Sequence, residues 1–89
     1  MTERELTIVN RLGLHARAAA QFVRVAGSFG CEVRLRHGER EADGKSIMGV
    51  MMLAASVGSR VTVCTEGEDE DEALEALACL VADRFGEED

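Results

Sequence analysis

Hydrophobic and polar positions alternate with a period of two in several stretches of the chain and repeat near 3.6 in others. In residues 5–9, Leu6 and Ile8 face one way and Thr7 and Val9 the other, which predicts a strand. Residues 10–13 read as a loop. From Ala16 the period changes: Ala19, Phe22, Val23 and Ala26 share one face of a helix that Gly27 and Gly30 bring to an end. Over 31–37, Cys31, Val33 and Leu35 lie opposite Glu32, Arg34 and Arg36, the pattern of a half-buried strand. Gly38 marks a turn, and the polar residues 40–43 suit only a short edge strand. The apolar run 47–55 is too long and too rich in Met for a strand. It reads as a short helix with Ser46 as its N-cap, and Gly58 ends the loop after it. Residues 61–65 alternate again. Residues 69–84 give the clearest helix, with Leu74, Leu77, Ala78 and Val81 as its stripe. Acids fill its first turn, Arg84 lies in its last and Gly86 stops it.

The order is β-α-β-β-α-β-α, an α+β arrangement. The economical packing is a four-stranded antiparallel sheet with three helices on one face. The other face is left to solvent, carrying Thr, Arg and Glu. The 89 residues suit one domain, 1–89, that buries roughly 60–65% of its unfolded surface. No apolar run is long enough to span a membrane, and the N-terminus lacks a signal-peptide pattern.

Charge adds a polarity to this picture. The chain is acidic, net −7, which argues against nucleic acid as a partner. Residues 1–45 nonetheless hold eight basic and six acidic side chains, against two and eleven in residues 46–89. The N-terminal half can therefore present a locally positive face. The acidic run 66–72 reads as a solvated helix start. Cys31, Cys64 and Cys79 form no C-x-x-C pair and read as structural thiols in a reducing cytoplasm.

His15 immediately precedes the first helix, where free N–H groups and a partial positive charge converge. That field favours neutral imidazole, whose nitrogen lone pair is nucleophilic. If that nitrogen took a phosphoryl group, the N–H groups of Ala16 and Arg17 would cradle it and the Arg17 guanidinium would clamp it. Gly13 allows a close approach, and Arg17 and Arg24 lie seven apart on one helix face, taken here as near the same end. Ser46 is either a plain cap or a phosphorylatable one. Met48, Met51 and Met52 cannot all point inward from one short helix, so part of the cluster should form an adaptable docking patch. His37, at a strand end, reads as exposed. No second acid or base stands near His15 in the sequence, and there is no nucleotide loop or metal-ligand cluster. A self-contained enzyme is therefore poorly supported, and no metal or cofactor is implied.

Residues 10–20 (NRLGLHARAAA) and 44–53 (GKSIMGVMML) resemble HPr, the histidine-containing phosphocarrier family of the phosphoenolpyruvate:sugar phosphotransferase system. The resemblance runs from the first strand to about Phe85. It implies an open-faced β-sandwich. It also implies that His15 accepts a phosphoryl group at Nδ1 from enzyme I and passes it to an enzyme IIA, with Arg17 binding the phosphate. Ser46 would match the serine modified by HPr kinase/phosphorylase. Ala20, Arg24, Ile47, Met48 and Met51 fall where the family docks its partners, and a monomer is implied. Ala18 stands where the family usually has Pro. Ala is the best helix former, so the helix should survive, with the placement of His15 and Arg17 most exposed to the change. Two alternatives remain: the nitrogen-type regulatory paralogue, and a regulatory binding module without phosphotransfer.

Overall fold

Alternation builds the sheet and 3.6 periodicity covers it. The computed structural model describes residues 1–87. The elements are β1 (Thr2–Thr7), α1 (Ala16–Gly27), β2 (Glu32–His37), β3 (Arg40–Asp43), α2 (Ile47–Met52), β4 (Arg60–Glu66) and α3 (Glu70–Ala82). The four strands pair antiparallel in the order β1-β4-β2-β3, so polar β3 is an edge strand as its sequence requires. Leu35 opposite Val63 and Leu6 opposite Val61 set the registers that turn the apolar side chains inward. The helices pack on that inner face. Phe22 from α1, Val50 from α2 and Leu77 from α3 are fully buried against Ile8, Leu35, Val61 and Val63. The outer face carries Arg34, Arg36, Glu41 and Thr62, with Arg34 and Glu41 paired at 2.9 Å.

Three expectations shift. The first strand spans Thr2–Thr7 rather than residues 5–9. Arg4 sits at an inward register opposite Val63, which breaks the apolar alternation in the sequence, and its head reaches Glu75 of α3 at 2.9 Å. The acidic run is more than a solvated face. Asp69 carboxylate oxygens accept the N–H groups of Gly30 and Cys31 at 2.9 and 3.0 Å and tie the α1–β2 loop to the start of α3. Those backbone bonds, Gly30 first, hold the Asp69 carboxyl below its ordinary range against the opposing effect of burial.

The third shift matters most for the site. The last helix ends at Ala82, before Arg84, and a closing turn follows at Arg84–Gly86. Arg84, Phe85 and Gly86 take φ of 57°, 56° and 81°, in the left-handed region. For the two residues with a Cβ this costs about 1–2 kcal/mol each. Burial of Phe85, 2% exposed, offsets it. The reversal carries Glu87 back toward α1.

Candidate functional site

His15 is the N-cap of α1, with extended backbone, and its carbonyl accepts the Ala19 N–H at 2.9 Å. The loop before it is fixed. Gly13 has φ of 67°, and a Cβ there would lie 2.5 Å from the Ala55 carbonyl oxygen, so only Gly fits against the chain after α2. Leu14 N–H donates to the same oxygen at 2.9 Å. The histidine is thus presented by packed backbone.

The ring has two different faces. Nδ1 accepts the Arg17 backbone N–H at 3.3 Å, pointing at the helix N-terminus. Nε2 is hydrogen-bonded to the Glu87 carboxylate. An acceptor Nδ1 carries the lone pair, so the proton is assigned to Nε2. The His15 side chain is 28% exposed.

Glu87 corrects the expectation that no acid or base stands near His15. Its other carboxylate oxygen accepts from Asn10 Nδ2 at 3.0 Å, and that same amide nitrogen donates to the Gly13 carbonyl at 2.8 Å. Asn10 is fully buried, and its Oδ1 has no hydrogen-bond partner among the described residues. The amide cannot be turned over, since its oxygen would then face a carbonyl and a carboxylate. Burial pushes the Glu87 carboxyl up, but the His15 and Asn10 hydrogen bonds and the Arg17 charge outweigh it and hold it below its ordinary value. Asn10 and Glu87 were missed in the sequence. Asn10 at least leaves a trace, a polar residue directly after an apolar strand end; Glu87 leaves none.

Arg17 is exposed in the first turn of α1, which contains no acidic residue. No described group hydrogen-bonds its guanidinium, so the cation remains available for an anion. Arg24 does not join it. Seven residues of helix span about 10 Å, and Arg24 lies in the last turn of α1, bonded to Gln21 Oε1 at 2.6 and 3.1 Å. Ala18 is buried in the first turn of a regular helix, so the missing Pro leaves α1 intact.

Ser46 caps α2, its Oγ accepting the Gly49 N–H at 3.1 Å. The methionines divide. Met48 and Met52 are 67% and 66% exposed, Met51 is half-buried against the core, and Ile47 is 44% exposed. Met52 adds its exposed side chain to the apolar surface of Ile47 and Met48, beside the partly buried Met51. It lines an open groove of about 570 Å³ with Ala42, Ser46, Gly49 and Leu53. Arg17, Ala20 and Arg24 mark the exposed side of α1, and α1 and α2 pack together. His37 is not simply exposed: it is half-buried, and its Nδ1–H donates to the Leu53 carbonyl at 3.0 Å, holding the end of α2 to β2.

A nucleophilic nitrogen at a helix N-terminus, with an adjacent cation that no described residue hydrogen-bonds and an exposed apolar helix, suits transient loading of an anionic group. Residues 2–83 match the family described as "PTS HPr component phosphorylation site". The chain belongs to the HPr family. It is similar to the phosphocarrier protein HPr of Pseudomonas aeruginosa, 61% identical over 84 residues that cover 93% of each chain. The corresponding protein of Cupriavidus necator is 55% identical over 98% of each chain. The crystal structure of HPr from Thermoanaerobacter tengcongensis superposes with a TM-score of 0.94 at 43% identity, covering 99% of each chain. The fold expected from the resemblance is therefore the observed one, and the chain is an HPr-type phosphocarrier of the phosphotransferase system. The family match stops at residue 83, so Glu87 lies beyond it.

Proposed function

We propose that this chain, acting as a single domain, accepts one phosphoryl group on His15 Nδ1 from phosphorylated enzyme I and delivers it to an enzyme IIA. The observation that carries this reading is the orientation of the ring: Nδ1 faces the Arg17 N–H while Nε2 meets the Glu87 carboxylate, which assigns the proton to the far nitrogen. A phosphoryl group on Nδ1 would replace the weak Arg17 N–H···Nδ1 contact with bonds from the N–H groups of Ala16 and Arg17 to its oxygens. The Arg17 guanidinium would add a charge-assisted contact. The protein needs no pocket, metal or cofactor of its own, because each partner brings an active site to an exposed nitrogen. It serves as a stoichiometric carrier in the cytoplasm, as a monomer.

The docking surface in this reading is the exposed side of α1 and α2: Ala20, Arg24, Ile47, Met48 and part of Met51, extended by Met52. Arg17 and Arg24 suit acidic partner surfaces and raise the association rate. Phosphorylation of Ser46 by a kinase of the HPr kinase/phosphorylase class would add about −1.5 to −2 charges beside Ile47 and Met48. Enzyme I binding should then weaken. Equal affinity with and without that phosphate would remove Ser46 from the regulatory role.

The test of the main reading is incubation with phosphoenolpyruvate and enzyme I, followed by intact mass. One acid-labile phosphate is expected, and none on His15→Ala. A phosphate that survives acid, or that persists in His15→Ala, would contradict the assignment. Transfer from the loaded protein to a sugar-type rather than a nitrogen-type enzyme IIA identifies the pathway. Phosphate retained in the presence of both would contradict the carrier step.

A further inference from the structure

We propose that Glu87, held in place by Asn10 at the end of the left-handed closing turn, is a positioning residue that fixes His15 in the Nε2–H tautomer and faces the positive charge the ring acquires during transfer. This rests on the reading of His15 as the acceptor. Three observations support it. The Glu87 carboxylate meets Nε2, the nitrogen opposite the helix N-terminus. The buried Asn10 amide spends one nitrogen on both Glu87 and the Gly13 carbonyl, at 3.0 and 2.8 Å, and leaves its own oxygen unpaired. The backbone runs left-handed through Arg84, Phe85 and Gly86, and bonds from Gly86 N–H to the Asp83 carbonyl and from Glu87 N–H to the Arg84 carbonyl close the turn that delivers the carboxylate.

The chemistry gives that carboxylate a task. The Nδ1 lone pair forms a bond to phosphorus while the bond from phosphorus to the donor's leaving atom breaks, and that electron pair stays with the donor. The ring keeps its Nε2 proton throughout and becomes an N-phosphoimidazolium. Its positive charge then lies against Glu87, an interaction stronger in the transition state than before it. Onward transfer returns the electron pair to Nδ1 and leaves the neutral Nε2–H tautomer, ready for another cycle. In the opposite tautomer Nδ1 would have to lose a proton first. Among the described residues, the charged groups that act on this pair are Glu87 itself and Arg17, whose charge helps to hold the Glu87 carboxyl down.

The ring ¹⁵N spectrum of His15 in its neutral form tests the tautomer directly in the full chain, with Glu87→Ala and Glu87→Gln beside it. The wild type should show an Nε2–H ring. Glu87→Ala should move toward a tautomer mixture. Glu87→Gln, with one acceptor oxygen left for the two donors Nε2–H and Asn10 Nδ2, should lie between Glu87→Ala and the wild type. In transfer from phosphorylated enzyme I, Glu87→Ala should lower kcat about tenfold, as expected for one charge-assisted hydrogen bond. KM should stay unchanged, and Glu87→Gln should fall between Glu87→Ala and the wild type. Unchanged ¹⁵N shifts in Glu87→Ala, or an effect on KM alone, would overturn the role of Glu87. A wild type that takes no phosphate on His15 would instead overturn the acceptor reading, and the ¹⁵N shifts would still decide the tautomer.

Discussion

Two helix N-termini in this molecule meet the same electrostatic opportunity and use it in opposite ways. The start of α3 holds Asp69, Glu70, Asp71 and Glu72, so its N-terminal field is answered by built-in carboxylates. Glu70 accepts the Gly67 N–H at 3.2 Å and pairs with the N-terminal amine, while Asp69 pins the α1–β2 loop. The start of α1 has no acid in its first turn, and a histidine stands at the cap. Its anion-binding capacity is left open. One N-terminus is a permanent structural joint; the other is a berth for a group that must come and go.

The sharpest way to break that contrast is to remove the cation from the open berth. Arg17→Ala should slow phosphoryl uptake about a hundredfold, the scale for losing one preorganised donor to a developing anion. Tm should barely move, because the guanidinium is exposed. Rapid-quench transfer from phosphorylated enzyme I and a melting curve measure the two. A large drop in Tm with unchanged uptake would place Arg17 in the structure rather than the site. Filling the berth should invert its character: Ala16→Asp puts a fixed anion in the first turn of α1, as in α3. Uptake should fall about tenfold through like-charge repulsion, while the helix gains about 0.3–1 kcal/mol.

How much of this contrast could be read in the sequence depends on how local each feature is. The face of α1 around Phe22, the alternation of Val33 and Leu35 and the cap at Ser46 are set by neighbours within a few residues, so they were legible. So was His15, whose surroundings come from the helix it precedes. Glu87 was not, because its meeting with His15 spans 72 positions and depends on a left-handed turn through Arg84 and Phe85. Phe85 invites continuation of the helical stripe, and only its burial against the rest of the core explains why the helix breaks first. The tie from Asp69 to Gly30 and Cys31 is hidden in the same way: a carboxylate in a charged run looks solvated until the loop it holds is folded beside it.

A gentler perturbation concerns the closed N-terminus. The Asp69 carboxyl is depressed in the folded protein, so it contributes stability that is present above the unfolded carboxylate range near 3.9 and lost as pH falls through the lower folded value. Asp69→Asn should therefore lower Tm at pH 7, and the gap from the wild type should close as the pH is taken from about 5 toward 2. A gap that stayed constant with pH would mean that the carboxylate's charge plays no part. The same variant should leave phosphoryl uptake unchanged, since Asp69 serves the other helix.

The most direct measurement is the site of the phosphoryl group itself, read from ring ¹⁵N shifts and ¹⁵N–³¹P coupling after loading with phosphoenolpyruvate and enzyme I. The open N-terminus of α1 and the Glu87 contact together predict phosphorus on Nδ1 of His15 and a retained proton on Nε2. Phosphorus on Nε2, or on any residue other than His15, would contradict that assignment.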